Sequence, residues 1–165
     1  MKYNVSTSFG NFTLSLFPED APATVKNFSA YVEENFYNST IFHRVIDGFM
    51  IQGGGFDKNL EEKSTKEPIQ NEANNGLSNK ALTIAMARTS DPHSASSQFF
   101  INLVDNTFLD FNEETSDGWG YAVFGEVIEG QETIFKIGKV QTGTRGFFQD
   151  VPVKPIEIQK ITKLK

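Results

Sequence analysis

The segment Phe42-His43-Arg44-Val45-Ile46-Asp47-Gly48-Phe49-Met50-Ile51-Gln52-Gly53-Gly54-Gly55 sets one guanidinium and one carboxamide among large apolar side chains. It reads as two short strands joined at Asp47-Gly48. Strand side chains alternate, which would put Phe42, Arg44 and Ile46 on one face and His43 and Val45 on the other; after the turn Met50 and Gln52 share a face. An apolar wall beside a donor that never loses its proton and an amide suits an apolar, uncharged ligand that carries a carbonyl. A proline residue within a peptide has those properties. Other chemistries fit less well. Gly53-Gly54-Gly55 is followed by neither the Lys-Ser/Thr pair nor the helical pattern of a phosphate loop, and is expected to be a strand end under close backbone approach. Two histidines without cysteine or helical pairing make a poor ligand set, so neither metal nor cofactor is expected. His43 is expected to be a satisfied structural histidine, and His93 a loop residue too loosely related to Ser94 for a triad. Glu33-Glu34, Glu61-Glu62 and Glu113-Glu114 read as solvated faces.

These residues need a scaffold. A chain of 165 residues is expected to form one domain with a core of its own. It has no cysteine, which excludes disulfides and thiolate chemistry. Met1-Lys2-Tyr3-Asn4-Val5 opens no long apolar run, so no signal peptide is read, and no stretch approaches the roughly 20 apolar residues of a membrane span. A cytoplasmic protein without membrane contact is expected. The net charge of -6 argues against a nucleic-acid surface. Val5 to Phe17 reads as a hairpin turning at Gly10-Asn11. Pro22 to about Glu34 reads as a helix with Val25, Phe28, Tyr31 and Val32 on its buried face. Strands are predicted over Thr40 to Val45, Phe49 to Gly54, Leu82 to Ala87, Gln98 to Val104 and Tyr121 to Val127, and a short helix over Gln131 to Ile137. Asp57 to Lys80, Asp105 to Gly120 and Thr142 to Pro152 read as loops. Ile156 to Leu164 is a last strand whose alternation slips at Gln159-Lys160, the mark of a bulge. About eight strands and two helices, with no βα alternation, argue for a mainly β fold: an antiparallel sheet closing into a barrel.

Four ordered stretches carry a resemblance: Phe42 to Gly54, Ala85-Met86-Ala87-Arg88, Ser97-Gln98-Phe99-Phe100-Ile101 and Val123-Phe124-Gly125. Together they resemble the cyclophilins, a family of peptidyl-prolyl cis-trans isomerases, over about Val5 to Ile161. Lys66-Glu67-Pro68-Ile69, Asn71 to Leu77 and His93-Ser94-Ala95 look like the small bacterial cytosolic members. The resemblance implies a closed eight-stranded antiparallel β-barrel capped by two α-helices, with an active groove on its outer surface. It implies that Arg44 is the catalytic arginine, assisted by Gln52. It also implies that Phe49, Met50, Phe100 and Leu109 hold the proline ring, and that Gln98 and the backbone near Ala87-Arg88 hold the peptide. Phe108 and Tyr121 fall at groove positions where eukaryotic members carry tryptophan and histidine, and Arg88-Thr89 replaces an asparagine-alanine pair. In those members cyclosporin packs on the tryptophan, so weak cyclosporin binding is expected here. The implied partners are proline-containing peptides and unfolded or flexible protein segments, met by a monomer.

The implied reaction explains the economy of the residue set. Resonance stiffens the X-Pro C–N bond, with a barrier of roughly 18–20 kcal/mol. Turnover near 1,000 per second would need that barrier lowered by about 7 kcal/mol. No bond breaks, so no nucleophile, proton shuttle or metal is required. At half rotation the proline nitrogen gains a lone pair, and a guanidinium aimed there interacts with the twisted state far more than with the planar one. The competing reading is a module that binds proline without turning it over.

Overall fold

The computed structural model describes residues 1–165. Inward-facing Tyr3, Val5 and Thr7 alternate with outward residues in β1 (Lys2–Thr7), which pairs antiparallel with β2 (Gly10–Leu16). The connection lies at Ser8-Phe9, two residues before the expected Gly10-Asn11. Thr7 Oγ1 donates to the Gly10 carbonyl at 2.6 Å and accepts from the Phe9 N–H at 3.0 Å, which closes the turn early. α1 (Pro22–Glu33) starts with its proline in the first turn, where a missing N–H costs nothing. Its N-cap, Ala21, has no side-chain acceptor. Glu72, from the long loop expected over Asp57 to Lys80, supplies one, accepting from the Thr24 N–H at 2.7 Å and the Thr24 hydroxyl at 2.6 Å. A carboxylate there satisfies orphan donors and complements the helix dipole.

The remaining elements are β3 (Thr40–Ile41), β4 (Arg44–Ile46), β5 (Met50–Gly53), β6 (Thr83–Met86), β7 (Phe99–Asn102), β8 (Val123–Glu129), α2 (Gln131–Gly138), β9 (Thr142–Arg145), β10 (Phe148–Pro152) and β11 (Glu157–Leu164). Nine strands form one curled antiparallel sheet in the order β3-β11-β1-β2-β8-β6-β7-β5-β4. The fold is mainly β with two helices, as expected, but the barrel is not fully closed, because β3 and β4 end the ladder without pairing with each other. The seam is held instead by chain running on from β5, where the Ile41 N–H donates to the Phe56 carbonyl at 2.9 Å and Thr40 bridges Asp57. The slip foreseen at Gln159-Lys160 is a bulge: Ser6 faces Lys160 and Thr7 faces Ile158, leaving Gln159 unpaired. Thr142 to Pro152 is not a loop but the separate hairpin β9-β10.

Two apolar assemblies lie on opposite faces of the sheet. The inner one contains 27 buried residues, with Phe28 of α1 packed among the rings of Tyr3, Tyr37, Phe99 and Phe124. The outer one contains five, Met50, Ala85, Ala87, Phe100 and Val123. Strands β5 to β8 are therefore apolar on both faces, which is why they read as continuous runs rather than alternations. Phe42 departs from the expected alternation. The break between β3 and β4 falls at Phe42-His43, so Phe42 turns into the inner core with Val45, while Arg44 stays outside.

Candidate active site

The outer cluster is the floor of a pocket built on one row across the sheet. Arg44 pairs with Gln52, Gln52 with Phe100 and Phe100 with Ala85, so β4, β5, β7 and β6 each contribute one side chain at one level. The cavity encloses about 140 Å3 and is lined by Arg44, Phe49, Met50, Gln52, Ala87, Arg88, Phe100, Leu109 and Tyr121. Met50 and Phe100 are buried at its base, and Tyr121 meets Phe100 edge-on at 5.7 Å.

Polar groups at the rim form a relay. Gln98 Oε1 accepts from Gln52 Nε2 at 3.0 Å, and Gln52 Oε1 accepts from Arg44 Nη1 at 3.4 Å. The Gln98 side chain fits because position 55 is glycine, where a Cβ would stand 2.5 Å from Gln98 Cγ. Gly53 shows the expected close backbone approach too, since a Cβ there would meet the Ile41 carbonyl at 2.7 Å. The two arginines differ sharply. Arg88 donates to the Gly120 carbonyl through Nε (3.1 Å) and Nη2 (3.0 Å) and to the Thr89 carbonyl through Nη1, with its guanidinium 4.4 Å from the Tyr121 ring centre. Arg44 makes the single long bond to Gln52 and belongs to neither ion pair of the molecule. It lines the pocket, and its other donors have no hydrogen-bond partner in the protein.

Sequence reasoning missed what holds the walls. Asn79, Asn102 and Asn106 are buried and joined in series, Asn106 Nδ2 donating to Asn102 Oδ1 at 2.8 Å and Asn102 Nδ2 to Asn79 Oδ1 at 3.1 Å. Asn106 Nδ2 also donates to the Phe49 carbonyl at 2.9 Å, and Asn79 Nδ2 reaches the carbonyls of Leu109 and Tyr121 at 3.3 and 3.2 Å. Asp110 Oδ1 accepts from the Asn79 N–H at 2.7 Å. Three pocket residues are thus fixed through their backbones by side chains outside the pocket. The only signal in the sequence was the density of asparagine around two long loops.

Two expected positions fall outside the lining. Gln98 meets the pocket through its bond to Gln52. Phe108 is 72% exposed and stacks on Phe49 with 5.9 Å between ring centres, forming an outer rim. His43 also departs from expectation, because its buried Nδ1 has no hydrogen-bond partner. Burial lowers its pKa to about 4, and the Arg44 charge pushes the same way, so the ring is neutral. His93 Nδ1 accepts from the Asn71 N–H at 3.1 Å, and Ser94 Oγ is engaged with Thr89 and Asp91. No group of three or more His, Asp or Glu side chains is placed to hold a metal ion. No helix is long and apolar enough to cross a membrane.

The family model for cyclophilin type peptidyl-prolyl cis-trans isomerase/CLD matches residues 2–163. Peptidyl-prolyl cis-trans isomerase B of Escherichia coli (strain K12) is 56% identical over 156 residues, covering 94% of this chain and 95% of that protein. A Streptomyces antibioticus peptidyl-prolyl cis-trans isomerase is 56% identical over 155 residues, covering 94% and 93%. A Cryptosporidium parvum cyclophilin type isomerase, crystallised in the presence of the dipeptide Ala-Pro, superposes with a TM-score of 0.85 at 26% identity, covering 100% of this chain and 99% of its own.

Proposed function

The chain belongs to the cyclophilin-type peptidyl-prolyl cis-trans isomerases, and we propose that it turns over X-Pro bonds in the Arg44 pocket. The proline ring sits on Met50 and Phe100 between Phe49, Leu109 and Tyr121. Gln52 and the backbone near Ala87-Arg88 hold the flanking carbonyls, so that one side of the amide is fixed while the other rotates. The observation that carries this reading is the contrast between the arginines: Arg88 is engaged, whereas Arg44 keeps donors free beside the apolar floor. A preorganised donor that meets the nitrogen lone pair only in the twisted state is worth roughly 3 kcal/mol. Fixing the ring in a dry pocket supplies the rest of the lowering.

The substrates under this reading are unfolded or flexible segments of protein chains, met in the cytoplasm by a monomeric, single-domain enzyme. The structural relative was crystallised in the presence of Ala-Pro, a dipeptide of the class this reading assigns to the pocket. Phe108 on the rim would meet only ligands larger than a dipeptide, cyclosporin among them. The decisive experiment is a coupled isomerisation assay on a short X-Pro peptide. Acceleration that saturates with peptide is expected, and binding without acceleration would reduce the pocket to a recognition site.

A further inference from the structure

The pocket at Arg44 opens into a longer trough. A second cavity of about 350 Å3 shares Gln52, Ala87 and Arg88 with it, is polar along Thr89, Ser94 and Gln98, and ends against Phe56 and Phe148. Phe148 in turn lines a shallow third cavity of about 330 Å3, together with Leu60 and Phe147. The first two cavities adjoin along three residues, and the second and third meet at Phe148.

The far end is built in an unusual way for a surface. Gly146-Phe147 is the tip of the β9-β10 hairpin, closed by the Arg145–Phe148 pair, and the Phe147 side chain is fully exposed. Leu60 faces the same cavity from a turn in which its own φ is 59°, a conformation that is strained for any residue with a Cβ. That turn is braced: Asp57 Oδ1 accepts from the N–H groups of Asn59 and Glu61 at 2.8 and 3.1 Å, and Arg145 Nη1 donates to the Lys58 carbonyl at 3.4 Å. A fully exposed phenylalanine and a half-buried leucine are held side by side by interlocked turns, at the end of a trough whose head is the Arg44 guanidinium.

We infer that the Leu60–Phe147 surface is a second anchor for the substrate polypeptide, taking an aromatic or large aliphatic side chain several residues from the proline. This rests on the isomerase reading of the pocket. An extended chain leaving the pocket advances about 3.3 Å per residue and presents polar backbone to the middle cavity before an apolar side chain reaches the tip. The occupant is an unfolded protein segment, the extended continuation of the chain whose proline fills the pocket.

The test uses two sets of fluorescent peptides: a short one centred on Ala-Pro, and versions extended on either side of the proline with one phenylalanine at graded distances. Anisotropy titration of the full chain should show one extended series binding about tenfold tighter than the short peptide. F147S should lose that gain; its fold is not at risk, because the replaced ring makes no buried contact, and circular dichroism checks it. The same gain in both proteins would overturn the inference. So would a wild-type dimer in sedimentation that F147S dissolves, since the surface would then belong to a second copy of the chain. Turnover of the short peptide on the same samples reports separately on the isomerase reading. No acceleration together with a length gain that F147S removes would refute catalysis and leave the anchor standing.

Discussion

Arg44 and Arg88 bring the same group to the same pocket, and their existing bonds decide which can act. Arg44→Ala removes an exposed side chain, so the fold should persist while kcat/KM for an X-Pro peptide falls about a hundredfold. Arg44→Lys should recover little, because a point charge lacks the planar fork. Near-normal turnover by Arg44→Ala, with an unchanged circular dichroism spectrum, would sink the mechanism. The neighbouring His43 should instead make stability depend on pH. Its folded pKa of about 4 lies below the unfolded value near 6.5. As pH falls the unfolded chain takes up the proton first, so the contribution is complete above about pH 6.5 and is lost between there and about pH 4. The full loss is about 3 kcal/mol, and His43→Phe should flatten that part of a denaturation profile. Identical slopes in both proteins would assign the acid sensitivity elsewhere. Phe108 tests the rim. Phe108→Trp restores a broader ring and an N–H donor, and should tighten cyclosporin binding about ten- to a hundredfold with little change in turnover. Calorimetric titration decides it, and equal affinities would remove Phe108 from the drug-facing edge.

At the scale of elements, the walls of the pocket depend on side chains that never touch it. Asn79 is wholly buried and bonded to the carbonyls of Leu109 and Tyr121, to Asp110 and to Asn102. Asn79→Ala would leave buried groups unpaired, costing about 2–4 kcal/mol, and should raise KM by loosening the Leu109 wall. Denaturant melts with peptide kinetics on the same variant check both, and a stability loss with unchanged KM would make the network purely structural. This network also marks where sequence reading stopped. β5 to β8 were legible because their apolar runs are long, and Gln159 because a broken alternation has one simple cause. The β9-β10 hairpin was not, since Thr142 to Arg145 is polar and largely exposed, leaving a period-two pattern nothing apolar to follow. Phe42 lies on the face opposite to the one that alternation predicts, because the strand breaks at Phe42-His43 and no residue type announces the break. The lining residues were legible as a family pattern and not from their own chemistry: a methionine or phenylalanine on a strand reads the same whether it faces the inner core or the outer pocket.

For the molecule as a whole, activity should be independent of metals and thiols. The chain has no cysteine, and rotation about an amide breaks no bond. Turnover should survive dialysis against a strong chelator and treatment with thiol reagents, and activity that returned only with added metal would mean the histidines had been misread. The order of strands has a consequence for how the molecule is made. Every strand that carries a pocket residue, β4 to β7, lies between Arg44 and Asn102, and the β8 strand beside them ends at Glu129. β1, by contrast, has β11 as its second partner, with Lys2 opposite Leu164. On a ribosome the pocket strands are synthesised well before that pair can form. Closing so long a loop is entropically the costliest pairing in the sheet and belongs late in folding. A nascent chain lacking β11 would hold all the pocket residues on a sheet whose first strand is still an open edge, and such an edge is a template for pairing with another chain. The vulnerable interval in the life of this folding catalyst is therefore its own synthesis, and it ends only when the last strand emerges.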